Sequence, residues 1–175
     1  GPIGLSAMEF VRLAGARLLV MDMVQSRLDF VTQTYGLTET ICADGTEADL
    51  NKVAEFTDNE FCDVVIDATG SDRSMNRSLE FAAFGGRVVY VGITQGTLSF
   101  PHAPLLHRRE LSILASRNAL SRDFNRIIKE IEAERINTAP WITHRMSWTE
   151  LPEQFPHLVD PSSGVLKAVA TVEPT

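Results

Sequence analysis

Along this 175-residue chain the spacing of apolar positions alternates between a helical period and short continuous runs. Residues 2–14 place Ile3, Ala7, Phe10, Val11 and Ala14 on one face of a predicted helix. Pro2 suits its first turn, where a missing N–H has no partner to lose. Gly15 ends it. Residues 17–22 (RLLVMD) then form a short apolar run of the kind found in parallel strands buried on both faces. Residues 25–35 read as a helix stopped by Gly36. A short strand is predicted over 40–43, a weaker helix over 46–57 and a strong strand over 62–67 (CDVVID). A helix over 74–84 closed by Gly85 and Gly86, a strand over 87–91 ended by Gly92, and a strand over 111–115 follow. Residues 121–134 are amphipathic, with Phe124, Ile127, Ile128 and Ile131 expected inward and charges outward. Strand–helix alternation with short connections predicts an α/β fold with a doubly wound parallel sheet. Beyond Ile136, Pro140, Pro152, Pro156 and Pro161 break the chain into short pieces, and residues 165–172 (VLKAVATV) form a last strand with Lys167 near its centre.

Composition narrows the classes of partner. Hydrophobic residues at 44% and charged residues at 22% are those of an ordinary globular protein with a core. A net charge of -7 disfavours nucleic acid and anionic membrane surfaces, which the overall field would repel. No apolar run approaches a membrane span, and no basic stretch leads into an apolar one as a secretory signal does. We therefore expect a cytoplasmic protein with no nucleic-acid or membrane partner. Cys42 and Cys62 lie in or beside predicted buried strands and are expected to be reduced core thiols. His102, His107, His144 and His157 are scattered without metal-ligand spacing, and no zinc site is expected within this chain.

The chemistry begins at the first residue. Gly1 and Gly4 open the first helix and match the second and third glycines of a G-x-G-x-x-G loop. The first glycine and its strand are expected upstream, so the sequence reads as a piece of something larger. Glycine lets the backbone approach a pyrophosphate, and a helix N-terminus presents N–H groups and positive dipole to that anion. Asp22 ends the next strand at close to the ~20-residue spacing of a ribose-binding acid. A carboxylate there accepts from the ribose hydroxyls and repels a 2′-phosphate. At ~4 Å one charge pair costs about 1 kcal/mol in water and about 4 kcal/mol at an effective dielectric of 20. The expected cofactor is NAD, with NADP still open. Arg27 suits two roles, support of the ribose or tolerance of a 2′-phosphate.

Taken together, GPIGL, VMDMVQSRLDF, VVIDATGS and GGRVVYVGI resemble the cofactor-binding domain of zinc-dependent medium-chain alcohol and polyol dehydrogenases, nearest the sorbitol, threonine and sugar-acid branch. The resemblance runs from Gly1 to about Lys167. It implies a Rossmann-like sheet over residues 1–140, lacking its first strand. Residues 141–175, with Thr143, His144 and Arg145, would return to an absent catalytic domain. Gly1, Pro2, Ile3 and Gly4 would lie under the pyrophosphate, Asp22 would hold the adenosine ribose and Arg27 would stand beside it. Ala68, Thr69 and Gly70 would flank the adenine side. Val91, Gly92 and Ile93, with Ser116, Arg117 and Asn118, would approach the nicotinamide. No catalytic or metal-binding residue is expected in this chain. Zinc, its ligands and the proton relay would lie in the absent domain, and this chain alone is expected to be inactive. The full enzyme would pass a hydride between an alcohol, polyol or sugar acid and NAD. Relatives suggest a homo-oligomer joined through the edge strand near Leu111 to Ala115.

In the usual strand order 3-2-1-4-5-6 the first strand is central. The strands at 17–22 and 62–67 would therefore face a gap. The favoured expectation puts the missing strand outside this sequence. The others let VLKAVATV fill the slot, from this chain or a second copy, or let the two half-sheets pack differently. Two other functions fit the motifs: a zinc-free medium-chain NADPH reductase, and a non-catalytic nucleotide-sensing module. An S-adenosylmethionine-dependent methyltransferase is disfavoured by residues 87–92 and by the tail.

Overall fold

The computed structural model describes residues 1–172. The chain divides into two compact units, one spanning Ile3–Ala119 and one running from Leu120 onward together with Gly1–Pro2.

The larger unit carries α1 (Pro2–Leu13) from Ile3 on, β1 (Val20–Asp22), α2 (Gln25–Tyr35), β2 (Thr40–Cys42), α3 (Glu47–Phe56), β3 (Cys62–Asp67), α4 (Asp72–Arg77), β4 (Ala82–Tyr90) and β5 (Ser112–Ala115). Every strand pairing is parallel. β1 pairs with β2, and separately β3, β4 and β5 form a three-stranded sheet in that order. The two strands expected to flank a gap, β1 and β3, thus lie in different sheets. β1 is shorter than the apolar run that announced it, because only Val20, Met21 and Asp22 have β2 residues opposite. On β3 the side chains of Val64 and Ile66 remain exposed.

The smaller unit contains α5 (Ser121–Glu132), β6 (Ile142–Ser147), α6 (Leu151–Leu158) and β7 (Lys167–Thr171). The predicted VLKAVATV strand is β7, and it pairs with β6, so it does not occupy the place between β1 and β3. Neither β6 nor α6 was expected from periodicity. Pro152 sits at the start of α6, where proline is tolerated, and Pro156 lies inside it.

The core of the larger unit is built on the connection from α4 into β4. Met75, Leu79, Ala82, Val88 and Tyr90 form a buried cluster, with Val65, Leu98, Phe100, Leu105, Leu106 and Leu111 packed around it. Tyr90 donates its hydroxyl to the Met75 carbonyl at 2.8 Å, and burial pushes its phenol upward. A second anchor is ionic. Asp49, 1% exposed, accepts from the backbone N–H groups of Asp44 and Gly45 at 3.2 and 2.9 Å and from Arg77 Nη1 at 2.8 Å. That carboxylate ties the end of β2 and α3 to α4.

Four expectations are corrected. The inward face of α1 carries Leu5, Met8 and Glu9, while Ile3 is exposed. The helix expected over 74–84 stops at Arg77. A 3₁₀ turn over Ser78–Phe81 follows, and Ala82 already pairs with Cys62 in β4. The apolar stripe of α5 is not covered: Phe124, Ile128 and Ile131 are exposed. Hydrophobic period identifies the face that would gain from burial; it does not supply the surface that buries it. Finally, Cys42 is exposed and Cys62 only partly buried, since β2 and β3 are not covered on both sides. Both are free thiols.

Candidate functional site

Three turns at the carboxyl ends of strands collect most of the residues that sequence motifs singled out. Asp67, the last residue of β3, organises two of them. Its side chain is buried, 5% exposed, and accepts from Thr69 N at 2.9 Å, Thr69 Oγ1 at 2.7 Å and Ser74 Oγ at 2.7 Å. Its backbone carbonyl accepts from Val91 N and Gly92 N, at 2.9 and 3.0 Å. One residue thus fixes both the turn after β3 and the turn after β4.

That arrangement forces the two turns together. Gly70 adopts φ 67°, and a Cβ there would stand 2.9 Å from the Ile93 carbonyl oxygen. Any side chain at Gly92 would in turn run into the Gly70 amide. Contact between backbones thus requires glycine at both positions, and at Gly70 the left-handed conformation requires it as well. Ala68, Thr69, Gly70, Val91, Gly92 and Ile93 are brought into one neighbourhood. Ser116 joins it at the end of β5, donating its N–H to the Tyr90 carbonyl at 2.9 Å. Arg117 and Asn118 follow as exposed residues, with Asn118 at φ 54°.

The opening loop meets the same strand ends. A Cβ placed on Gly4 would touch the Ala68 Cβ at 3.9 Å, so the first turn of α1 lies against the end of β3. That turn contains no acidic residue, whereas α3 and α4 carry Glu47 with Asp49 and Asp72 in theirs. The positive end of α1 is thus not neutralised by its own side chains, which suits an anion. Pro2 is the first helical residue, Gly1 precedes it, and Ile3 is exposed.

Asp22 stands at the end of β1. Its carboxylate accepts from Val24 N at 3.0 Å and faces Arg27 Nη1 at 3.5 Å. Cys42 lies opposite Asp22 in the β1–β2 register. Just beyond, Thr46 holds the Asp44 carboxyl below its usual range by hydrogen bonding.

These groups are of the kinds a dinucleotide needs: a small residue at the helix start, a first helical turn without acidic side chains and a carboxylate at a strand end. They do not fit a metal. Among the described residues no three His, Cys, Asp or Glu side chains converge on one point. His144 and His157 lie ring to ring at 5.9 Å, and His144 Nδ1 is 3.0 Å from Thr143 Oγ1. Motif reading missed Asp67, Ser74, Asp72 and Asn76. The signal available was the string of turn-forming polar residues after β3, since Thr69 and Ser71 each bond backbone within three residues.

Known proteins resemble this chain in sequence and fold. A family model described as zinc-binding dehydrogenase matches residues 2–133. L-galactonate-5-dehydrogenase of Escherichia coli K12 is 30% identical over 171 residues, covering 98% of this chain and 49% of that protein. D-xylulose reductase of Saccharomyces cerevisiae is 26% identical over 160 residues, covering 89% of this chain and 44% of its own. Among solved structures, alcohol dehydrogenase TADH of Thermus sp. ATN1 superposes with a TM-score of 0.86 at 24% identity, over 99% of this chain and 49% of that one. A short chain alcohol dehydrogenase of E. coli CFT073, solved with NADH, gives 0.85 at 20% identity over 98% and 50%. These structural likenesses establish the shared fold. The chain spans about half the length of the curated relatives it matches.

Proposed function

The chain belongs to the zinc-binding dehydrogenase family, and we propose that it is the NAD-holding half of an enzyme that moves a hydride between an alcohol, polyol or sugar acid and NAD. The observation that carries this reading is the joining of three turns: the start of α1 against Ala68, and Gly70 against Gly92. In an open α/β sheet, ligands bind outside the carboxyl ends of strands, where these turns lie.

Within this reading Gly1 to Gly4 and the end of α1 receive the pyrophosphate. Asp22 holds the adenosine ribose through its free acceptor capacity. Ala68, Thr69 and Gly70 line the adenine side. Val91, Gly92 and Ile93, with Ser116, Arg117 and Asn118, take the nicotinamide end. NAD, when bound, supplies the hydride acceptor. NAD is favoured over NADP because Arg27 already faces Asp22 at 3.5 Å. A 2′-phosphate would have to draw Arg27 away from that carboxylate while standing beside it.

Residues 1–140 form the cofactor-binding part in this assignment, and 141–175 lead toward a catalytic part. In this reading zinc belongs with that other part, since among the described residues no three donor side chains converge. The chain by itself turns over no alcohol. β5 is one edge of its three-stranded sheet with all four residues exposed, and in this reading it pairs two copies. No helix among the described residues is long and apolar enough to cross a membrane. With a net charge of -7, a cytoplasmic enzyme of small molecules is the setting that fits.

Calorimetric titration of the chain with NAD, NADP and S-adenosylmethionine tests the reading. NAD is expected to bind most tightly. Asp22→Ala removes charge-assisted hydrogen bonds of about 1.5–3 kcal/mol and should weaken NAD roughly ten- to hundredfold. Binding of S-adenosylmethionine alone would contradict the assignment.

A further inference from the structure

The segment following β4, residues 92–100, is fastened to one face of α4 at two points. At the first, the Thr94 hydroxyl donates to Asp72 Oδ1, while Thr94 Oγ1 accepts from Gly96 N at 3.0 Å. Gly96 lies so close to the Asp72 carboxylate that a side chain there would collide with it. At the second, Ser99 N donates to Asn76 Oδ1 at 2.5 Å. Asp72 and Asn76 are four residues apart and share a helix face. Leu98 and Phe100 complete the attachment by packing on the buried cluster around Met75 and Leu79. At the other end, the Asp67 carbonyl holds the N–H groups of Val91 and Gly92.

Between these fastenings stands Ile93, whose side chain is 82% exposed. A large aliphatic group kept in water on a segment tied at both ends is poised to meet a flat apolar surface. Its backbone is equally constrained, since the Ile93 carbonyl is in contact with Gly70. Whatever position Ile93 takes is set jointly by the turn after β3 and by α4.

We propose that Asp72 and Asn76 are positioning residues that set the nicotinamide end of the cofactor site through the Thr94 and Ser99 contacts. This rests on the NAD reading above and extends it to two side chains that touch no cofactor themselves. They act first on the segment carrying Gly92 and Ile93, and on the pyrophosphate and adenosine contacts less.

That separation makes the proposal testable with two ligands, NAD and ADP-ribose, which lacks the nicotinamide ring. Both are titrated into the full chain and its variants. Asp72→Ala should weaken NAD about fivefold or more, the loss of roughly one hydrogen bond, and change ADP-ribose less than twofold. Asp72→Asn keeps an acceptor for the Thr94 hydroxyl and should restore NAD affinity. Thr94→Val breaks the same contact from the segment side and should reproduce Asp72→Ala, so the result does not depend on one variant folding. Asn76→Ala should shift NAD in the same direction. Equal weakening of both ligands, or no effect on either, would overturn the proposal. If the wild-type chain binds neither ligand, the NAD reading itself fails and this one with it. If it binds ADP-ribose but discriminates nothing at position 72, only the positioning role fails.

Discussion

Asp22 and Cys42 stand opposite each other at the ends of paired strands, one a carboxylate and the other an exposed thiol. The two cysteines of the chain should therefore behave differently. Burial, reinforced by nearby Asp63, pushes the Cys62 thiol up, so its reactive thiolate appears only at higher pH. Iodoacetamide labelling followed by mass spectrometry should modify Cys42 first at pH 7. Cys62 should react slowly and gain on raising the pH. If a nucleotide ribose sits on Asp22, NAD should also slow Cys42 and leave Cys62 unchanged. Equal rates for the two thiols would contradict the exposures described.

At the scale of elements, the buried Asp49–Arg77 pair makes the sharpest claim. Arg77→Ala leaves a carboxylate that is 1% exposed without its cation. Removing one partner of such a pair costs about 3–5 kcal/mol. For a chain of this size that corresponds to a Tm lower by roughly 10 °C. A fall of only a degree or two would mean that the Asp44 and Gly45 amides suffice. Elements that rest on local chemistry could be found from sequence. α2 spans the residues predicted for it and ends at Gly36 in the left-handed conformation. Thr46 caps α3, and β3 occupies its predicted run. The connection from α4 into β4 could not be found that way. Leu79, Phe81, Ala82 and Ala83 have a helical look, but pairing of Ala82 with Cys62 turns the chain into a strand, with a register shift before Val64 meets Arg87. Long-range pairing overrode local preference there. The candidate site divides in the same way. Glycines and the strand-end acid announce themselves by spacing, whereas Asp67, Asp72 and Asn76 matter through contacts with residues that are distant in sequence.

At the scale of the whole molecule, family and fold converge. Membership of the zinc-binding dehydrogenase family rests on the match across residues 2–133. The proposed cofactor site rests on the parallel sheets and on the meeting of turns at strand ends. Exposed apolar side chains on β3, β5 and α5 mark surfaces that this chain leaves uncovered. They are consistent with a protein whose relatives are about twice as long. In the proposed function, NAD lies across the carboxyl ends of β1, β3 and β4. Amide chemical-shift mapping of the chain during an NAD titration tests it most directly. Shifts concentrated at Gly4, Asp22, Thr69, Gly70, Gly92 and Ile93 are predicted. Saturable shifts confined to other residues, with Asp22 and Gly92 unmoved, would contradict it.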